Sequence, residues 1–201
     1  MAKVKLTKNE LKKQKDALKM YQRYLPTLML KKQQLQAEIR ITDIRIQELK
    51  DEKGRVDQIL QSWIAVFGER GIFTPEILKI SQVKTAQGNI AGVAIPLFQG
   101  AELEIFPYDI ARMPLWLDMA VEKLKQIILL DLETRVLEEQ RRRLDHELRI
   151  TTQRVNLFEK IKIPETRDNI KKIQVYLGDQ QTAAVVRGKI AKRGLAKAGG
   201  A

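Results

Sequence analysis

The chain has 201 residues, a formal net charge of +12, 31% charged residues and 5% aromatics. So few aromatics beside abundant Leu, Ile, Lys, Glu, Arg and Gln excludes a thick globular core and suits long helices whose apolar residues form a narrow stripe. Cysteine is absent, which excludes a disulfide framework and a thiolate metal site and fits a reducing cytosol.

The first twenty residues carry seven lysines and no apolar block, so no secretory signal is expected. The longest apolar run, Trp63 to Phe67, is too short to span a bilayer, and the chain is expected to be soluble. The excess charge is unevenly placed. Residues 1–20 carry a net +5 and residues 160–201 a net +7, while residues 21–159 hold twenty basic and twenty acidic side chains. If the two ends meet, they form one positive tip on a neutral body.

From Leu11 onward two apolar rows recur at seven-residue spacing. One is Leu11, Leu18, Leu25, Lys32, Ile39, Ile46, Lys53, Leu60; the other is Tyr21, Leu28, Leu35, Thr42, Leu49, Val56, Trp63. Twelve of these fifteen positions are apolar, the seam of a coiled coil. The spacing predicts a first long helix over 1–67, roughly 75 to 85 Å along its seam. Pro26 raises the question of a bend within it.

Residues 68–114 contain five of the eleven glycines and four of the six prolines, which forbids continuous helix. This insert reads as a β-hairpin: Ile77 to Thr85, a turn at Gln87-Gly88-Asn89, then Ile90 to Leu97 with Val93, Ile95 and Leu97 on one face. Ala101 to Phe106 alternates as a third strand. Pro114 suits the first turn of a returning helix.

A second seam runs through Ile127, Leu130, Thr134, Leu137, Arg141, Leu144, Leu148, Thr151, Val155 and Phe158. Ile163, Ile170 and Leu177 continue it past Pro164, which should bend the helix without necessarily ending it. The returning helix and basic tail thus occupy 115–201. The expected fold is mainly α: a long antiparallel two-helix coiled coil with a small β-hairpin insert between its helices.

Catalytic chemistry is not readable. The sole histidine, His146, stands between Asp145 and Glu147 and reads as a solvated helix-face residue. The two serines, Ser62 and Ser81, lie in no nucleophile motif, and no phosphate-binding glycine loop occurs. Acid pairs such as Glu138-Glu139 sit among Arg141, Arg142 and Arg143, the pattern of a salt-bridged helix surface. No catalytic, cofactor-binding or metal residue is assigned. The basic ends could bind nucleic acid, but no aromatic lies before Tyr21 or after Tyr176 to stack bases.

Three stretches carry a resemblance. Leu28-Met29-Leu30-Lys31-Lys32-Gln33-Gln34-Leu35 is one, and Asn89-Ile90-Ala91-Gly92-Val93-Ala94-Ile95-Pro96 is the second. The third is Arg154-Val155-Asn156-Leu157-Phe158-Glu159, followed by Ile163-Pro164, Ile170, Lys171 and Ile173. In this order they resemble the D subunit of vacuolar and archaeal-type rotary ATPases, over nearly the whole chain. The sequence departs from that pattern at Tyr24-Leu25-Pro26-Thr27 and after Leu177.

The resemblance implies a non-catalytic rotor shaft of the central stalk, standing inside the ring of A and B subunits and turning with the membrane ring. Its implied partners are the A and B subunits, the F subunit and the subunit that links stalk to membrane. No cofactor, small ligand or nucleic acid is expected, and the location is cytoplasmic, peripheral to the membrane. Residues expected at the catalytic ring are Lys8, Lys12, Lys15 and Lys19, facing Arg187, Lys189, Lys192 and Arg193. Those expected at the stalk partners are Val56, Leu60, Trp63, Phe67, Leu115, Trp116, Met119 and Leu124, with Ile59 beside them. A nucleic-acid-binding arm and a structural tether are the alternatives.

Overall fold

A computed structural model describes residues 4–62, 78–106 and 116–198, with side chains to Arg193. Its elements in order are helix α1 (Lys8–Ser62), strands β1 (Leu78–Ile90) and β2 (Val93–Ile105), helix α2 (Trp116–Asn156), a π-helical turn (Leu157–Lys162) and helix α3 (Ile163–Ala198). The expected class is borne out: long helices with a two-stranded antiparallel hairpin between them. Two compact units divide the chain. One contains residues 1–30 and 151–201, the other residues 31–150.

In the unit of 31–150, the seam positions of α1 turn inward as the heptads predict. Leu35, Ile39, Thr42, Ile46, Leu49 and Val56 are buried, and Lys32, Lys53 and Leu60 are half-buried. Leu35, Leu49, Leu117 and Leu144 are at most 1% exposed, each stabilising by about 1.5–3 kcal/mol relative to exposure. Thr42 and Thr134 interrupt the seam without an unpaired polar atom, because each hydroxyl donates to its own helix carbonyl, at Glu38 and Leu130.

Ion pairs flank this seam and report its direction. Lys31 pairs with Glu147, Asp43 with Arg141, Arg45 with Glu133, Lys50 with Glu138 and Lys53 with Asp131. Partner numbers on α2 fall broadly as those on α1 rise, so the two helices are antiparallel here. Arg141 was expected within the seam but is exposed, its guanidinium turned to Asp43. A charged head keeps its solvent at low cost on the flank. Gln140 is buried in its stead and donates to the Pro96 carbonyl of β2.

The hairpin corrects two expectations. Its turn lies at Ala91-Gly92, not at Gln87-Gly88-Asn89, and the expected third strand is the continuation of β2. The backbone decides the first point. Ala91 and Gly92 both have positive φ, 51° and 81°, as a two-residue type I′ turn requires, and the Asn89 carboxamide oxygen accepts from the Gly92 N–H. Gln87 and Gly88 instead pair with Pro96 and Ile95. Glycine at 88 leaves room for Leu97, whose Cδ1 would stand 2.9 Å from an added Cβ. The strands stay paired past Pro96 through two register shifts, so Leu103 and Ile105 meet Ile80 and Leu78.

The hairpin's tip packs against both helices of its unit. Ile95 joins Leu35, Ile39 and Leu144 in one buried cluster, with Ile90, Ala91, Val93 and Leu148 around it. Arg143 donates to the Ala94 carbonyl. Length explains the reach. Thirteen residues per strand extend about 43 Å, matching the roughly 40 Å of α1 between Ser62 and Leu35.

In the unit of 1–30 and 151–201, α1 starts where Thr7 accepts the Glu10 N–H on its hydroxyl, an N-cap. The helix continues through Pro26. Tyr21 lies against Phe158, ring centroids 5.1 Å apart, and Leu6 lies beside Val175 and Tyr176, so this pairing is antiparallel too. Pro164 does not end the helical path: a π turn precedes it and α3 begins at Ile163. Ile77, Pro114 and the boundaries at 67/68 and 114/115 lie outside the described residues.

Candidate functional site

No enzyme-like centre emerges from the described residues. None of their His, Cys, Asp and Glu side chains cluster as a metal site, and His146 is exposed on α2. The expected salt-bridged face is present: Glu139 accepts from Arg142 and Arg143, each at 2.7 Å. Hydrogen bonds from Arg142 first and Arg143 second hold its carboxyl at about 2. A solvated carboxylate locked to two guanidiniums is ionised and unavailable as an acid or base near neutral pH. The candidate sites are therefore surfaces.

Charge is divided between the units. Residues 1–30 and 151–201 hold nineteen basic and six acidic side chains, a net +13, while residues 31–150 hold eighteen and nineteen, a net −1. Both chain ends belong to the basic unit.

Lys8, Lys12, Lys15, Lys19, Arg187, Lys189, Lys192 and Arg193 are all exposed, and among the described residues none of the eight has an acidic partner. The two groups do not face each other as expected. Leu6, just before α1, lies beside Val175 and Tyr176, and from Gly178 to Arg193 every residue of α3 is exposed. Within this unit α3 continues beyond the start of α1, so the second group lies further along the axis, on a helix that no described residue covers. Val185, Val186 and Ile190 are 59%, 49% and 64% exposed there. Val186 and Ile190 share a face one turn apart, with Lys189 and Arg193 alongside. After Asp179 the chain has no acidic residue and five basic ones.

The expected stalk-partner residues separate by burial. Val56 is buried, Leu60, Trp116 and Leu124 are half-buried, and Met119 and Ile59 are exposed at 57% and 43%. Trp63, Phe67 and Leu115 lie outside the described residues. The sequence reading missed Leu117, Ala120 and Val121, which are buried in the first turns of α2. Their 3–4 spacing was the available signal. It also missed Ile41 and Ile44, about 60% exposed on the face of α1 turned away from its seam. Isoleucine at the wrong heptad positions marks such a second face.

Comparison with known proteins decides the family. The sequence model for the ATP synthase D subunit matches residues 10–193. The chain belongs to that family. It is 51% identical to the V-type ATP synthase D subunit of Borreliella burgdorferi over 197 residues, covering 98% of this chain and 97% of that one. It is 34% identical to the protein of the same name from Chlamydia pneumoniae over 200 residues, covering 94% and 92%. The Chlamydia muridarum protein of that name is 32% identical over 193 residues, covering 94% and 95%. The family is the one suggested by the Leu28–Leu35, Asn89–Pro96 and Arg154–Ile173 stretches. No helix among the described residues is long and apolar enough to cross a membrane.

Proposed function

We propose that this D-subunit homologue is the rotor shaft of a V/A-type ATPase, a non-catalytic part that transmits torque between the A/B ring and the membrane ring. The observation that carries the reading is the uncovered extension of α3, residues 178–193, apolar on one side and basic beside it. A helix of that kind is unstable in water alone and is satisfied by a sleeve with an apolar lining and acidic rim. Lys8, Lys12, Lys15 and Lys19 then meet the sleeve at a lower level than Arg187, Lys189, Lys192 and Arg193.

Ile59, Met119 and the partly exposed Trp116 are the surface for the F subunit and for the subunit that joins stalk to membrane. Val56, buried at 5% exposure, is not part of that surface. The seam and its flanking ion pairs keep the helices from sliding along each other. The protein thereby sits in the cytoplasm, peripheral to the membrane. Affinity purification of the tagged full-length chain tests the reading: A, B and F subunits should co-elute. Recovery of nucleic acid without them would sink it in favour of a basic binding arm, and recovery of neither would favour a tether.

A further inference from the structure

Seam residues leading into the π turn keep the alternation of a coiled coil: Leu144, Leu148, Thr151, Val155 and Phe158 step by four, three, four and three. The next buried residue should then be residue 162. Lys162 is only half-buried there; the buried residue is Ile163, five residues on from Phe158, after which Thr166, Ile170, Ile173 and Leu177 resume steps of three, four, three and four. The chain therefore holds one residue more than an unbroken α-helical seam needs, and the surplus falls inside Leu157–Lys162. There the Ile163 N–H reaches back to the Phe158 carbonyl, the five-residue hydrogen bond of a π turn.

Pro164 fixes where the surplus sits. It has no N–H to return to the carbonyl of Lys160 or of Glu159, so the helix forfeits one bond at that point in either register. Placing the wide turn just before it confines both defects to a single turn. Neighbouring contacts hold the joint from both sides: Tyr21 packs on Phe158, and the Thr166 hydroxyl donates to the Lys162 carbonyl at 2.6 Å. Between these anchors Leu157, Glu159, Lys160 and Ile161 are exposed, and of the turn's six residues only Phe158 and Lys162 are half-buried.

We propose that Leu157–Lys162 is a built-in joint of the second helix, storing one surplus residue that keeps the following seam in register and giving the helix its preferred point of local opening. The joint is independent of the partners assigned above. Two measurements on the full chain test it. Deleting exposed Glu159 should convert the π turn to α-helix with every seam residue in place, and the melting temperature should stay within about 2 °C of the parent. Deleting exposed Gln153, which displaces Val155 and Phe158, should lower it by more than about 5 °C. In the parent, hydrogen exchange at residues 159–163 should be about ten-fold faster than in the turns 151–156 and 166–171, and the Glu159 deletion should erase that difference. Equal destabilisation by the two deletions, loss of helicity on deleting Glu159, or uniform exchange from 151 to 171 in the parent would overturn the proposal.

Discussion

Lys53 on α1 reaches across the seam to Asp131 on α2 at 2.8 Å, and Arg135, one turn further on, closes on the other oxygen of the same carboxylate at 2.8 Å. The Lys53 hydrogen bond is the main cause that lowers the Asp131 pKa from 3.8, partial burial opposing it. A carboxyl whose folded pKa lies below its unfolded one stabilises the fold fully above about 4, and that contribution disappears as pH falls through the folded value. Both side chains are about a third exposed, so solvent screening limits the pair to about 0.5–1 kcal/mol. Asp131→Asn should cost that much in urea unfolding at pH 7, and the gap between variant and parent should narrow toward pH 2.5. A gap that stays constant across that range would exclude the ion pair as its source.

The turn of the hairpin gives a sharper test, because backbone conformation and not packing sets its cost. Gly92 has φ 81°, where a β-branched residue is strained. Gly92→Val should destabilise the unit of 31–150 by about 1–2 kcal/mol. Ala91→Asn, at φ 51°, places a residue that tolerates the left-handed region and should be neutral or stabilising by a few tenths. Denaturant melts of the two variants should therefore move apart. Equal midpoints would contradict a type I′ turn at these residues.

Leu144 ties the hairpin to the helices, being fully buried with Leu35, Ile39 and Ile95. Truncation to alanine should cost about 2–5 kcal/mol. Hydrogen exchange should accelerate at the tip, residues 90–96, more than at residues 78–84, whose side chains are mostly exposed already. Uniform acceleration along both strands would mean that the hairpin opens as one body and not from its tip.

Helices and their seams were legible because heptad spacing encodes burial directly, and all fourteen described seam positions of α1 are buried or half-buried. Three features were not legible, each for a physical reason. The hairpin turn was misplaced because Gln87-Gly88-Asn89 offers turn residues, while the actual turn uses Ala91, a residue that favours no turn; only pairing with β2 selects it. Gln140 was passed over because it is polar, yet the Pro96 carbonyl supplies the partner that lets it be buried. The two basic groups were expected to face each other because sequence gives their spacing along each helix but not the axial offset between helices. Leu6 beside Val175 fixes that offset.

That offset shapes the last prediction, which concerns the uncovered end of α3. Removing residues 188–201 takes away Lys189, Lys192, Arg193 and Lys197 but no buried side chain among those described. The melting temperature of the isolated chain should therefore stay within about 2 °C of the parent, since exposed residues far from any packing contribute little. In the assembled ATPase the effect should be large if this helix is the part held by the sleeve. F-subunit binding should persist, whereas turnover coupled to ion movement should fall, with the ATPase activity of a ring lacking any shaft serving as the unaffected control. If the same charges instead bound a phosphate backbone, truncation would weaken a salt-sensitive nucleic-acid affinity, and the slope of log K against log salt would shrink by about 0.9 for each phosphate no longer neutralised. Loss of coupled turnover at unchanged melting temperature supports the rotor reading. Unchanged turnover together with a reduced salt slope would replace it.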